Sequence, residues 1–211
     1  MWSGGKIIWQ YPVMNPPLTV DMITKTHGRI PPGNFWPESG MAMGNGGTFY
    51  VCAGDSRLVA LGSDGSYKWE FKTKTHSENH ATPVIAADGT IYFGSGDGNL
   101  YALNTDGTQK WVLDAGGGIS ATPVLAADGT VYVLNAATLL AVSPEGKMIE
   151  KVDVSGGPGP SSPTLAPDGT IYVGLRAGKI VAYAGTHGGL MDSAWPKFQG
   201  GPANSGRARP I

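Results

Sequence analysis

Cysteine occurs once, at position 52, in a chain of 211 residues. That excludes an intramolecular disulfide and any metal site built on several thiolates. Charge is scarce as well: 15 basic and 16 acidic residues leave a formal net charge of −1. Such a balance gives no basic surface of the kind that attracts nucleic acid or anionic lipid. No apolar run approaches the roughly 18 residues of a membrane-spanning helix. The start, "MWSGGKIIWQ", lacks the basic stretch followed by an apolar one that marks a secretory leader. There is no Gly-x-Ser-x-Gly elbow, no phosphate-binding glycine loop and no histidine arranged around Cys52, which reads as a buried structural thiol.

What is present is turn chemistry and short apolar runs. The chain holds 33 glycines and 16 prolines beside 41% hydrophobic residues. That mixture reads as many short strands joined by tight turns around a sizeable core. The runs repeat. "GGTFYV", "DGTIYF", "DGTVYV" and "DGTIYV" place Tyr50, Tyr92, Tyr132 and Tyr172 at intervals of 42, 40 and 40. After each comes a second run: "RLVALG" (57–62), "NLYALN" (99–104), "TLLAVS" (138–143) and "KIVAYA" (179–184). A third follows the first three of these: "GSYKWEF" (65–71), "GTQKWVL" (107–113) and "GKMIEKV" (146–152). Another precedes the tyrosine run: "ATPVIA" (81–86), "ATPVLA" (121–126) and "SSPTLA" (161–166), with a degenerate "SGMAMG" (39–44) in the first unit.

Each unit thus has four β-prone segments, A to D, and Asp-Gly suits the hairpin between A and B. Four-stranded antiparallel units with a period near 40 read as propeller blades, and no segment carries a helical period. The fourth unit lacks a D segment. The N-terminus supplies an orphan one, "GKIIWQY" (5–11), so Lys6–Tyr11 is expected to complete the fourth blade beside Lys179–Ala184. Pairing first and last strands removes an open edge. The expected architecture is all-β: a single propeller domain over 1–211, four four-stranded blades closed by the N-terminal strand. Residues 12–38 form an insertion and 185–211 a tail docked on the propeller. A piece of a longer propeller, or half of an eight-bladed ring made by two chains, remains the alternative.

The units "ATPVIAADGTIYFGSGDGNLYALNTDGTQKW" and "ATPVLAADGTVYV…LLAVSPEGKMIEKV" resemble the PQQ-like β-propeller repeat. That family carries an Asp-Gly-Thr-apolar-Tyr hairpin and a D-strand tryptophan in each blade. Trp9, Trp69 and Trp111 match, while Glu150 stands in that place in the third complete unit. The resemblance covers roughly residues 39–184 and the orphan strand. The tail "SAWPKFQGGPANSGRAR" is similar to a segment common at the ends of bacterial proteins with these repeats. The family's quinoprotein dehydrogenases are eight-bladed, hold calcium and often pair two adjacent cysteines over the quinone. With four repeats and one cysteine, PQQ is not expected here. Other relatives are non-catalytic, such as an outer-membrane assembly lipoprotein that binds partner proteins. The relatives are mostly extracytoplasmic, and the resemblance implies that compartment.

In a propeller, D→A and B→C connections share one face. That face is expected to carry "KTKTHSENH" (72–80), the turns at Asp55, Asp97, Asn135 and Arg176, and the 12–38 connection with its "TKTHGR". Three of four histidines, His27, His76 and His80, then share it, and His187 lies elsewhere. Alternation puts His76, Glu78 and His80 on one side of an extended chain. Imidazoles and a carboxylate suit a divalent transition metal. The same residues also read as an ordinary polar loop, and that reading leads. The Asp-Gly turns lack the ligand density of a calcium loop. The three repeat tryptophans are blade-packing residues, and Trp195 and Phe198 are expected to anchor the tail. Phe35 and Trp36, in a Pro-rich stretch, are candidates to cap the channel or line a ligand groove. The expected function is a non-catalytic binding or scaffold module. It holds a protein, peptide or glycan on the insertion-bearing face, with Phe35, Trp36, Asp55, Asp97 and Arg176 as ligand-binding candidates. The rival is a metal-dependent lyase or hydrolase using His27, His76, Glu78 and His80 near the central channel. No cofactor is expected beyond the divalent metal of that rival. No nucleic-acid partner is expected either, and the chain would act as a monomer or a ring-completing homodimer.

Overall fold

The computed structural model describes residues 37–53, 56–75, 80–136, 138–154, 161–176, 178–185 and 188–197. They form antiparallel sheets, with one short 3-10 turn at Asn45–Gly47 and no α-helix. The first sheet holds β1 (Pro37–Met43), β2 (Phe49–Ala53), β3 (Arg57–Leu61) and β4 (Tyr67–Lys72) in that order. The second holds β5 (Val84–Ile85), β6 (Ile91–Gly94), β7 (Asn99–Leu103) and β8 (Gln109–Asp114). The third holds β9 (Val124–Leu125), β10 (Val131–Leu134), β11 (Thr138–Val142) and β12 (Met148–Asp153). The fourth has three described strands, β13 (Thr164–Leu165), β14 (Ile171–Gly174) and β15 (Ile180–Tyr183). Among the described residues, no helix is long and apolar enough to cross a membrane.

The hairpins follow from the repeated Asp-Gly-Thr. Gly89, Gly129 and Gly169 sit at φ of 84°, 92° and 87°, a region that a Cβ disfavours. The aspartate before each accepts a hydrogen bond from the threonine amide after it: Thr90 to Asp88 at 2.9 Å, Thr130 to Asp128 at 3.0 Å and Thr170 to Asp168 at 2.9 Å. Each Asp-Gly-Thr therefore closes its own turn.

Sheets stack face to face. Tyr50, Leu58 and Ala60 pack with Ile91, Phe93 and Tyr101, joining the first sheet to the second. Tyr92 and Leu100 meet Val131 and Leu140, joining the second to the third. Tyr132 and Leu139 meet Ile171 and Val173, joining the third to the fourth. The two middle strands of the first three sheets are almost wholly buried, while β4 and β8 are half-buried to exposed and β12 is largely exposed. D strands are therefore outermost and A strands innermost. A hydroxyl ladder links the A segments: the Thr82 amide donates to Thr122 Oγ1 and the Thr122 amide to Ser162 Oγ, both at 3.0 Å.

The fourth sheet differs. Its Ile180 is 79% exposed and Tyr172 43%, positions whose equivalents in the second sheet are buried. Lys6–Tyr11, expected beside β15, lies outside the described residues, and the described sheets do not close on one another.

Candidate binding face

The end of the molecule bearing the B→C turns is held together by main-chain and side-chain hydrogen bonds from the linkers. The Thr73 amide donates to Ser56 O at 2.9 Å and the Ala115 amide to Gly98 O at 2.8 Å. Asn135 Nδ2 donates to Ala115 O, and Asn135 Oδ1 accepts from the Thr138 amide at 2.7 Å. D→A linkers and B→C turns thus share one end, as the strand order requires. Pro37, the first described residue, pairs with Ala53 at this end.

Asp97 is the centre of the described part. Its Oδ2 accepts the Tyr101 hydroxyl at 2.6 Å and the Lys74 amide at 3.2 Å, and its Oδ1 accepts the Asn99 amide at 3.0 Å. Burial alone would raise this carboxyl's pKa; the donors from Tyr101, Asn99 and Ser95 outweigh burial and hold it below the usual carboxylate range. Burial, followed by the hydrogen bond to Asp97, pushes the Tyr101 phenol up. The carboxylate therefore acts as a clamp between the first sheet's linker and the second sheet's turn. It ionises more readily in the folded chain than in the unfolded one. Its contribution is fully present above about pH 4 and is lost as pH falls through the lowered folded value. Asp97→Ala is expected to cost about 2 kcal/mol at neutral pH, read by urea unfolding. Asp97→Asn should flatten the acid limb of the stability profile, and an unchanged limb would dismiss the clamp.

Two of the other sequence candidates are described, and both belong to the linkers and turns of this end. Arg176 is exposed in the turn between β14 and β15, and His80 is exposed on the linker into β5. His27, Phe35, Trp36, Asp55, His76 and Glu78 lie outside the described residues, as do His187 and Phe198. Cys52 is fully buried, and burial pushes its thiol up. Lys74 and the Thr82–Thr122–Ser162 ladder were not anticipated. The recurrence of Thr or Ser beside Pro at 40-residue intervals was the available signal for the ladder.

The opposite end is covered by the tail. Residues 188–197 run along the inner A strands. The Ile85 amide donates to Trp195 O at 2.8 Å and the Leu125 amide to Pro196 O at 2.9 Å. The Met191 amide donates to Leu125 O at 2.9 Å, the Ala127 amide to Gly189 O at 2.8 Å and Ser193 Oγ to Ile85 O at 2.7 Å.

A family model described as the outer membrane protein assembly factor BamB matches residues 3–159. The chain belongs to this PQQ-like β-propeller family. No curated protein matches it. Among solved structures it is similar to virginiamycin B lyase from Staphylococcus aureus, at 13% identity over 78% of this chain and 59% of that one, with a TM-score of 0.54. A streptogramin B lyase shares 16% identity over 69% and 54%, with a TM-score of 0.52. The WD40 propeller domain of Doa1 shares 15% over 64% and 46%, with a TM-score of 0.55. At these identities the likeness concerns the propeller fold alone. The chain spans 46–59% of the length of these three.

Proposed function

We propose that this chain is a non-catalytic binding module that presents the B→C turn end to a protein or peptide partner. The observation that carries this reading is the Asp97 clamp. A carboxylate that accepts three donors from two loops holds those loops in one arrangement. A rigid, preorganised rim loses little entropy on binding. Membership of a family named for an assembly factor favours a polypeptide partner over a glycan. Phe35 and Trp36, just before β1 in the sequence, are the aromatic residues proposed to meet the partner there.

We propose further that Lys6–Tyr11, expected from the repeat to be the missing fourth strand, completes the sheet of β15. Deleting residues 1–11 is expected to leave that edge bare and convert soluble protein to aggregate, read by size-exclusion chromatography with light scattering. An equally soluble truncation would rule closure out.

The binding reading is tested by native co-purification followed by hydrogen exchange of the purified complex. Protection confined to 72–75, 95–99, 115–119 and 135–138 supports it. Protection elsewhere, or metal-dependent turnover lost in a His76→Ala/His80→Ala variant, would replace it with another site or with the metalloenzyme.

A further inference from the structure

A cavity of about 90 Å³ opens between the third and fourth sheets, at the C→D turn end and away from the clamp face. Tyr132, Tyr183 and Glu150 line it, with apolar walls from Leu139, Val152 and Ile171. A single water needs roughly 10–15 Å³ of such space, so a side-chain group of several heavy atoms fits. A change at one structural position sets the charge of this cavity. Each of β4, β8 and β12 carries a bulge, with Lys68, Lys110 and Ile149 as the extra residues. The next residue in each faces an alanine: Trp69 opposite Ala60, Trp111 opposite Ala102 and Glu150 opposite Ala141. In the first two sheets the bulge thus presents a cation and a planar ring. Lys68 Nζ donates to Thr48 Oγ1, and Lys110 Nζ donates to Asp88 Oδ2 at 3.1 Å and to Thr90 Oγ1 at 2.7 Å. Trp69 and Trp111 lie 5.7 Å and 5.6 Å from Tyr50 and Tyr92, centroid to centroid. The third sheet keeps the tyrosine, Tyr132, and puts an alkyl chain and an anion in place of the pair. The described residues of the lining include no lysine, arginine or histidine.

We propose that this cavity takes the guanidinium group of an arginine side chain from a partner polypeptide. Charge complementarity selects a cation: Glu150 is exposed at the cavity and brings a carboxylate. Tyr132 is buried, and burial, then the Asp128 and Glu150 carboxylates, push its phenol up to about 12. Its ring therefore stays neutral in a negative field, which favours a cation over a neutral occupant. Shape selects the guanidinium among cations. It is planar and weakly hydrated, so its face lies against a tyrosine ring while its edge meets a carboxylate with two N–H groups. An ammonium is a compact, strongly hydrated charge and matches aromatic and aliphatic walls less well. One planar cation thus supplies what a lysine and an indole supply together in the first two sheets. The cavity lies at the opposite end from the clamp, so it is independent of the binding face proposed above.

The test is an amide NMR titration of the full chain with N-acetyl-argininamide at low salt. Saturable shifts at residues 139–141, 150–152 and 183–185, with a Kd of roughly 1–10 mM, are expected. N-acetyl-citrullinamide keeps the planar shape without the charge and should bind at least about threefold more weakly. N-acetyl-lysinamide keeps the charge without the plane and should also bind more weakly. Glu150→Gln should weaken the arginine probe about threefold, and Glu150→Lys should abolish its shifts. Both variants alter an exposed side chain, so the rest of the amide spectrum is expected to stay in place. Absent shifts, shifts that survive Glu150→Lys, or equal binding of the citrulline or lysine probe would each overturn the proposal. Free arginine binding tenfold tighter than the capped probe would assign the cavity to a small molecule and overturn it as well.

Discussion

Trp111→Ala is expected to destabilise the protein by about 3 kcal/mol, read as a shift of the urea midpoint. The indole is half-buried, stacks at a tilt against Tyr92 and hydrogen-bonds the third sheet through Pro144 O. Its loss removes ring area and orphans that contact between sheets. The partner position is equally constrained. A Cβ on Gly146 would stand 2.6 Å from Trp111 Cδ2, and its φ is 81°. Gly146→Ala should therefore cost a comparable amount, part steric and part backbone strain. In the Trp111→Ala background the steric part disappears. The strain part, about 1 kcal/mol, remains. A double-mutant cycle thus separates ring docking from turn geometry. Strict additivity would mean that the indole does not rest on that glycine. Trp69 and Gly107 should repeat the result one sheet earlier, since a Cβ on Gly107 would lie 2.7 Å from Trp69 Cδ2.

That coupling explains why so much of the fold was legible. The D-strand tryptophans, the Asp-Gly-Thr hairpins and the tyrosine repeat each mark one contact that recurs with the blade, so the B and C strands, and the D strands of the first three sheets, fall where the repeats place them. The A strands were less legible. "ATPVIA" reads as six residues, but β5 pairs only over Val84–Ile85. Pro83 has no amide to offer a ladder, and the Thr82 amide turns to the Thr122 hydroxyl of the next blade. Near the axis, a sideways bond to the neighbouring blade competes with in-sheet pairing, and local sequence does not report that. Of the site, Asp97 stood out because an aspartate in a turn is conspicuous. Its role as a clamp depends on Lys74 and Tyr101, brought together only by stacking. Glu150 breaks the tryptophan series in the sequence, but the cavity of about 90 Å³ beside it, lined also by Tyr132, Val152 and Tyr183, is a packing outcome that the sequence does not report.

Deleting residues 189–211 should have the largest effect of any change considered. The tail hydrogen-bonds the inner edges of β5 and β9, and it buries Met191, Ala194 and Trp195. Burying Trp195 and Met191 alone is worth about 5 kcal/mol, close to the whole stability of a typical domain. The truncated chain is expected to aggregate or to lose cooperative unfolding. In any soluble remainder, the Ile85 and Leu125 amides should exchange with solvent far faster, because their acceptors, Trp195 O and Pro196 O, are gone. A stable truncation with those amides still protected would mean that the A strands need no cover. Point variants sharpen the argument. Trp195 Nε1 is buried with no hydrogen-bond partner among the described residues, so its indole stabilises chiefly through packing. Trp195→Phe should then cost under about 1.5 kcal/mol, since it removes an unsatisfied donor along with some volume. Trp111→Phe should cost more, because it leaves Pro144 O without its indole donor. Equal costs for the two phenylalanine variants would show that the hydrogen bond to the turn contributes nothing, and that tail and blade tryptophans hold the propeller by area alone.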